Sequence, residues 1–213
     1  MDLTINDLLP LYFPDTRKQT SEVWGKNIGF KPGEMVKIVA PSGSGKTSLT
    51  HFLYGLRNDY SGRITYDNRS IKEFSAEDFA VQRKDNISIV LQDMRLLHEQ
   101  TVYENLFIKH QLNPYHPVTK IKEMTQRLGI ESKLNSKCKT CSYGEQQRIA
   151  IIRSLLQPFQ FLLLDEPFSH LDNNNSMLAM ELMMEEAKQR GAAIIFADLE
   201  RIEFFPYTKL YHL

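Results

Sequence analysis

The sequence predicts an α/β domain built around a mainly parallel β-sheet. Its apolar runs have the length of buried strands: MVKIVA (35–40), ISIVLQ (87–92), FLLL (161–164) and AAIIFA (192–197). Continuous apolar runs are typical of strands that are covered on both faces, as in a parallel sheet. Segments with a helical pattern lie between these runs, and strands that alternate with helices indicate the α/β class.

Composition limits the possible partners. The chain has 213 residues, enough for one large domain or two small lobes with a proper core. Twenty-six basic residues balance 26 acidic ones, which gives no electrostatic reason to expect nucleic acid as a partner. No apolar run approaches the ~18 residues of a spanning helix. The N-terminal MDLTINDLL lacks the basic segment and apolar centre of a signal peptide. We therefore expect a protein that is made and kept in the cytosol.

The N-terminal third of the chain predicts two early strands and then a strand–loop–helix unit. INDLLPLY belongs to the first strand, and the polar segment 14–22 is expected to be a turn before the second. MVKIVA continues into PSGSGKT and then into KTSLTHFLYGL. In that last segment Leu49, Phe52, Leu53 and Leu56 follow the i, i+3, i+4, i+7 spacing of an amphipathic helix.

The middle of the chain is helical in pattern. TVYENLFIKHQL, TKIKEMTQRLGI and EQQRIAIIRSLL lie between residues 93 and 160, and the long helical insertion at 93–140 indicates a second lobe. Residues 174–191 form a Met-rich helix with Gly191 as its C-terminal cap. We expect its methionines to fill the core.

The segment APSGSGKT (40–47) is a near match to the phosphate-binding pattern G-x-x-x-x-G-K-[ST]. Small residues let backbone N–H groups curl around phosphate oxygens, Lys46 can reach the β- and γ-phosphates, and Thr47 offers a hydroxyl to Mg²⁺. Ala40 replaces the first glycine, which is tolerable if its φ is negative. The alternative is a glycine-rich turn without a ligand. The predicted ATP-binding residues here are Pro41, Ser42, Gly43, Ser44, Gly45, Lys46, Thr47 and Ser48.

The run FLLLDEP ends a predicted strand in two neighbouring carboxylates, Asp165 and Glu166. A solvated acidic loop would explain them. Ligands in open α/β sheets, however, bind beyond the carboxyl ends of the strands. One acid could then hold a metal while the other handles a proton, and the pair alone does not decide between these interpretations.

A further motif, CSYGEQQR (141–148), gives the chain a family resemblance. Together with the phosphate loop, Gln92, LLLDEP and SHLD, it resembles the ATP-binding-cassette (ABC) ATPases over essentially the whole chain. QDMRLLHEQTVYENL and GEQQR look most like the ATPases of lipoprotein-release, macrolide-export and cell-division complexes. The resemblance implies one ABC domain over 1–213, with a RecA-like P-loop NTPase core, an N-terminal antiparallel β portion and a helical lobe. The core lobe would cover about 1–92 and 144–213, and the helical lobe about 93–143.

The resemblance also implies roles for individual residues. Asp165 would hold Mg²⁺ through water, with Thr47 and Gln92 as further metal contacts, and Glu166 would orient and deprotonate the attacking water while Lys46 holds the phosphates. Tyr12 would stack on adenine, with Phe13 and Trp24 as rivals and a core role equally open. The signature residues that would contact ATP are Ser142, Gly144 and Glu145.

Several positions depart from the family pattern. Cys141 and Tyr143 are unusual in the signature, and His170 stands where a small residue is usual. Ala197 occupies the place of a histidine that contacts the γ-phosphate in the family. Because alanine supplies no donor, we expect an ATPase that binds ATP well and hydrolyses it slowly in isolation. Cys138 and Cys141, spaced C-x-x-C, have no second pair to complete a zinc site and are expected to be ordinary thiols.

For partners, the resemblance implies a second ATPase domain, paired head to tail in a homodimer on ATP binding, and transmembrane permease subunits. The protein would then be peripheral on the inner face of the cell membrane. A helix of the permease is expected to dock near Gln92 and the segment 95–103, where Leu96 and Leu97 could equally be core. The alternative is a mechanical or regulatory ATPase that changes a membrane partner by binding ATP. Cargo, transport direction and a heterodimer stay open.

Overall fold

The computed structural model describes residues 1–199 and 204–213, which form two sheets flanked by helices. In chain order the elements are β1 (Leu3–Pro10), α1 (Arg17–Thr20), β2 (Asn27–Phe30), β3 (Met35–Val39), α2 (Lys46–Leu53), β4 (Tyr60–Tyr66), β5 (Arg69–Ser70), α3 (Ala76–Asp85), β6 (Ile87–Val90), α4 (Val102–Leu112), α5 (Thr119–Arg127), α6 (Tyr143–Leu155), β7 (Phe161–Asp165), α7 (Asn173–Arg190), β8 (Ala193–Asp198) and β9 (Lys209–His212). Short 3₁₀ turns lie at Ile71–Glu73, Glu131–Lys133 and Cys138–Thr140.

The larger sheet has five parallel strands in the order β6-β7-β8-β3-β9. It contains all four strands that the apolar runs predict, with ends that differ by at most two residues. The sheet is covered on both faces, as such runs require. Along β7, Phe161 and Leu163 join the hydrophobic cluster on one face, while Leu162 and Leu164 join the cluster on the other. Side chains of a strand alternate between faces, so both sets are buried.

The smaller sheet is antiparallel, in the order β2-β1-β4-β5. Leu3 and Ile5 of β1 point into the core and are fully buried. The pairing of β1 with β4 shifts between Asn6 and Leu9, and the partner strand has Gly62 at this place, with φ 82°. A Cβ there would lie 2.3 Å from the carbonyl oxygen of Asp7, so only glycine allows this close approach.

One sequence-based expectation for this region is wrong. The polar segment 14–22 is not merely a turn, because it contains the one-turn helix α1. The sequence pattern does not predict this helix, because no residue of α1 is buried and no side chain caps its N-terminus.

Local sequence signals explain where several of the helices after β6 begin or end. Thr101 with Glu104, and Ser142 with Glu145, form reciprocal capping boxes that start α4 and α6. Gly191 caps α7 in the left-handed conformation, as predicted. The methionines of α7 fill the core only in part: Met180 and Met183 are buried, but Met177 is 47% exposed. In the described ranges 1–199 and 204–213, no helix is long and apolar enough to cross a membrane.

Candidate active site

A pocket of about 370 Å³ lies at the carboxyl ends of the parallel strands. The loop after β3 and the residues that follow β7 and β8 all contribute to it. Its lining residues are Tyr12, Ser42, Gly43, Gly45, Lys46, Thr47, Ser48, Gln92, Glu166 and Leu199. Most of the residues that the sequence predicts for ATP binding therefore meet in one place.

The loop from Ala40 to Lys46 has the backbone that a phosphate cradle needs. Gly43 and Gly45 have φ of 79° and 97°, in the left-handed region. A Cβ on Gly45 would lie 2.9 Å from the Trp24 ring, whose Nε1 donates to the carbonyl oxygen of Ser44 at 3.1 Å. Ala40 is not among the residues with positive φ, so alanine fits there without strain. Trp24 thus supports the loop from below.

Lys46 and Glu166 form an ion pair inside the pocket. The Nζ of Lys46 lies 3.3 Å from Glu166 Oε1 and donates to the carbonyl oxygens of Ala40 and Pro41 at 2.9 and 3.2 Å. The side chain of Lys46 is only 5% exposed. Gln92 Nε2 donates to the other carboxylate oxygen of Glu166 at 3.3 Å. Glu166 is therefore held between a cation and an amide.

Asp165 has the features of a metal-binding carboxylate. It is fully buried at the end of β7, and its Oδ1 accepts from Thr47 Oγ1 at 3.3 Å. Its Oδ2 is buried with no hydrogen-bond partner among the described residues. Burial raises the pKa of Asp165 to about 6, the Thr47 hydroxyl opposes this, and the neighbouring Glu166 adds to it. A carboxylate and a hydroxyl are hard oxygen ligands, so the pair fits Mg²⁺.

The residue after Asp165 is held in an unusual backbone conformation. Glu166 has φ 46°, and its N–H donates to the carbonyl oxygen of Ala197 at 3.0 Å. Gln147, which is 1% exposed, donates through Nε2 to the Glu166 carbonyl oxygen and to Ser169 Oγ, each at 3.3 Å. Its Oε1 accepts from the N–H of His170 at 2.9 Å. Gln147 thus fixes the loop that follows Glu166.

The signature residues stand outside this pocket. Ser142 caps α6 and forms its box with Glu145. A Cβ on Gly144 would lie 2.9 Å from the carbonyl oxygen of His170, so this glycine lets the helix start close to the loop. Tyr143 is 68% exposed, and its ring lies 5.3 Å from the ring of His170. Ser142, Gly144 and Glu145 do not line the pocket of their own chain.

Of the three aromatic candidates for adenine, Tyr12 is the one in the pocket lining. It lines the pocket, is 52% exposed, and shares a 2.5 Å hydrogen bond between its hydroxyl and Ser48 Oγ. Trp24 is 1% exposed beneath the loop, and the Phe13 ring packs between the rings of Tyr12 and Trp24. Trp24 is therefore a core residue.

Ala197 lies in the core and does not line the pocket. It is fully buried in β8, paired with Asp165 and Ile38, whereas Leu199 reaches the lining. Burial raises the pKa of Asp198, between them, to about 6, and the charge of Glu166 adds to it while the Leu199 N–H opposes it. Sequence reasoning missed Leu199 because nothing in IIFADLE marks where the strand ends.

The two cysteines are free and buried. Burial raises the pKa of the Cys138 thiol to about 11 and raises that of Cys141 as well, so both thiols stay protonated. Among the residues that the structure describes, no group of three or more His, Cys, Asp or Glu side chains could hold a metal ion. The pair has the properties of ordinary thiols.

A comparison with family models matches residues 25–169 to the ABC transporter family. The chain belongs to the ABC transporter family. Among curated relatives of this ABC chain, the lipoprotein-releasing system ATP-binding protein LolD of Idiomarina loihiensis is 33% identical and covers 84% of the chain and 81% of the relative. The cell division ATP-binding protein FtsE of Streptococcus pneumoniae is 31% identical and covers 84% of the chain and 78% of the relative.

Solved structures give the same fold for this ABC chain. A dimeric ATP-binding cassette in a post-hydrolysis state with ADP and Pi has a TM-score of 0.78 at 23% identity and covers 92% of this chain and 87% of its own. A Pyrococcus furiosus chain described as an ABC transporter ATP-binding protein has a TM-score of 0.79 at 19% identity and covers 100% of this chain and 98% of its own. The predicted fold class is confirmed.

The family resemblance read from CSYGEQQR and its companion motifs is likewise confirmed, including its lipoprotein-release and cell-division character. The chain is the ATP-binding and ATP-hydrolysing subunit of an ABC transporter. Family membership alone does not assign the roles of single residues or identify the partners.

Proposed function

We propose that this ABC chain binds MgATP in the 370 Å³ pocket and hydrolyses it there, with Glu166 as general base. The observation that carries the assignment is the meeting of two groups of contacts at this place: Lys46 and Gln92 each contact Glu166, and Thr47 contacts the neighbouring Asp165. Mg²⁺, when bound, would neutralise phosphate charge. Asp165 and Thr47 would hold it, with Gln92 as a further contact.

In this proposal the ion pair changes partners when ATP enters. Lys46 turns from Glu166 to the β- and γ-phosphates, since a triphosphate offers it more negative charge than one carboxylate. Glu166 is then free to accept a proton from the attacking water. General bases placed in this way contribute about 10²–10⁴-fold to rate. Tyr12, at the rim of the pocket, stacks on the adenine.

A second copy of the chain completes the site. Ser142, Gly144 and Glu145 lie outside the pocket of their own chain, at the start of α6. Paired head to tail, each chain would place these residues over the ATP held by its partner. Small residues and a helix N-terminus suit contact with phosphate oxygens. The support for this is the separation of signature and pocket together with the dimeric form of the related cassette.

A groove next to Gln92 is the proposed docking place of a transmembrane permease. It has a volume of about 400 Å³ and exposes apolar side chains at Leu97, Ile108 and Leu112, which are 50%, 48% and 56% exposed. Leu96, in contrast, is 6% exposed and belongs to the core. Among the described residues, the lining also contains Arg83, Arg95, Lys109 and Arg153 but no carboxylate. A helix with apolar and acidic residues is the matching partner.

The groove is connected to the active site through the backbone after Gln92. Arg153 donates from Nη2 to the carbonyl oxygen of Met94 at 2.5 Å and from Nη1 to that of Arg95 at 2.7 Å. A partner that moves this segment moves Gln92, which contacts Glu166. Permease position and catalysis would be coupled along this path, with the chain peripheral on the inner face of the cell membrane.

Co-purification tests the proposal. The tagged chain is isolated from detergent-solubilised membranes, and the captured proteins are identified by mass spectrometry. We expect a multi-span permease with the native chain and its loss with Leu97→Glu. Val81→Glu, at an exposed apolar residue of α3, is the matched control and should retain the permease. Capture that is equal with both variants would contradict the docking surface.

A second function has support from the FtsE relative, which is nearly as similar as LolD. In this second function, ATP binding by the chain changes the state of a membrane partner without moving a substrate. Slow intrinsic hydrolysis, as expected from Ala197, would suit such a switch. A captured partner with few membrane spans and a large domain on the far side of the membrane would favour this alternative.

A further inference from the structure

Arg57 contacts two residues of the nucleotide pocket from outside its lining. Its Nη1 donates to Ser48 Oγ at 3.0 Å, the oxygen that also shares the hydrogen bond with the Tyr12 hydroxyl. Its guanidinium carbon lies over the Tyr12 ring, 5.5 Å from the centroid. The other side of the guanidinium pairs with Asp59, which accepts from Nε at 2.9 Å and from Nη2. Arg57 thus joins the phosphate-loop helix to the aromatic ring at the rim.

These contacts restrict the Tyr12 side chain at both ends. The hydroxyl is fixed on Ser48, and the guanidinium covers part of the ring, while 52% of the residue remains exposed. The ion pair with Asp59 in turn fixes the direction of the guanidinium fork and raises the pKa of Arg57. A ring held in this way loses less conformational freedom when a ligand stacks on it.

We propose that Arg57 is a positioning residue that holds Tyr12 as the stacking surface for the adenine of ATP. This rests on the proposed function of Tyr12. Arg57 does not itself line the pocket, and its hydrogen bonds go to Ser48 and Asp59 rather than to Lys46 or Thr47, so its effect passes through Tyr12 and Ser48. The guanidinium charge is attracted to the electron-rich ring, and the exposed 52% of Tyr12 is available to the base.

The proposal separates two parts of nucleotide affinity. The phosphates are held mainly by the loop backbone, Lys46 and the metal ligands, whereas Arg57 contacts this segment through the Ser48 hydroxyl. The base is held by stacking, which is worth about 1–3 kcal/mol. Loss of Arg57 should therefore weaken ligands that carry adenosine and spare inorganic tripolyphosphate. A residue that only stabilised the fold would weaken both or neither.

The test compares Arg57→Gln with a matched control. Arg69→Gln removes an arginine with the same kinds of contact, an ion pair with Asp78 and a position 4.7 Å from the centroid of the Phe74 ring, away from the pocket. Dissociation constants are measured by titration calorimetry for ATP and for tripolyphosphate, with Mg²⁺. With Arg57→Gln we expect the Kd for ATP to rise roughly 5–20-fold, within the range for loss of a base–aromatic stack, and that for tripolyphosphate to change less than about twofold.

A double-mutant cycle identifies the path. In a Tyr12→Ala background, Arg57→Gln should weaken ATP binding no further, because the ring that it positions is gone. In steady-state turnover the KM for ATP should rise while kcat stays within about twofold, since no contact made only in the transition state is lost.

Four results would overturn parts of the argument in distinguishable ways. Equal weakening of ATP and tripolyphosphate would place Arg57 in the support of the phosphate loop. An unchanged Kd for ATP, or a full effect of Arg57→Gln in the Tyr12→Ala background, would remove its role in positioning Tyr12. If native protein binds tripolyphosphate as tightly as ATP, and Tyr12→Ala has no effect, then the stacking role of Tyr12 itself fails.

Discussion

Replacing Glu166 by glutamine should slow hydrolysis and strengthen ATP binding at the same time. The carboxylate lies 3.3 Å from Lys46 Nζ and is 17% exposed. At that distance the direct attraction is about 5 kcal/mol for an effective dielectric constant near 20. Net values for hydrogen bonds to charged groups are smaller, about 1.5–3 kcal/mol. Because the amide oxygen of glutamine can still accept from Lys46, we take about 1 kcal/mol as released to the phosphates, or roughly fivefold tighter binding.

The expected loss of turnover is about 10²–10⁴-fold, the usual contribution of a general base. ATP affinity is measured by calorimetry with EDTA, which isolates the effect of Lys46, and hydrolysis by single turnover with Mg²⁺. In ATP and Mg²⁺ the variant should also accumulate as a dimer in light scattering, because the closed pair cannot reset. Glu185→Gln, at an exposed carboxylate paired with Arg127, serves as the control with unchanged behaviour.

Three outcomes would refute this reasoning separately. Normal hydrolysis by the Glu166 variant would exclude it as the base. ATP binding that is unchanged or weaker would show that Glu166 does not compete for Lys46. A variant that stays monomeric at saturating ATP would exclude self-pairing and indicate a different partner chain.

Further variants test other parts of the structure. Lys46→Ala should abolish tight ATP binding in calorimetry, and unchanged affinity would remove the phosphate-loop assignment. Gly144→Ala should force the His170 loop aside at a cost of about 1–3 kcal/mol and prevent ATP-dependent pairing in light scattering, while ATP binding by the monomer stays within about twofold. Ala197→His should lower the free energy of unfolding by about 1–3 kcal/mol in denaturant titration, because the site is fully buried and does not line the pocket; unchanged stability would contradict this placement. Burial, with nearby Arg153 adding to it, lowers the pKa of Lys109 from 10.5 to about 8. Between these pH values the unfolded chain binds more protons than the folded one, so the free energy of unfolding should rise with pH across that window. In denaturant titration Lys109→Met should lack this rise, and its free energy of unfolding at pH 7 should be about 1–3 kcal/mol higher than that of the native protein.

Much of the fold follows from local pattern. The apolar runs mark β3, β6, β7 and β8 because each is buried on both faces, and Gly191 marks the end of α7 because the left-handed cap needs it. The strand order β6-β7-β8-β3-β9 does not follow, since it depends on contacts between segments that are far apart in the chain.

The candidate site divides in the same way. Lys46 and Thr47 could be named from one contiguous loop, and Asp165 and Glu166 from the end of one strand. Gln147 could not be assigned a role, although it stands in the signature motif, because its partners Glu166 and His170 belong to another segment. The contact between Arg57 and Tyr12 could not be predicted either, because the two residues are 45 positions apart in the sequence.

The side-chain amide of Gln147 would link the two nucleotide sites of the proposed head-to-tail pair. It sits in the helix whose first turn presents Ser142, and it bonds the peptide of Glu166 in the same chain. In a head-to-tail pair, α6 would contact the nucleotide bound by the partner chain, while the peptide of Glu166 lies at the nucleotide site of the same chain. Any shift that follows phosphate release in one half is then felt in the opposite half. The two nucleotide sites of such a pair would be mechanically coupled through Gln147.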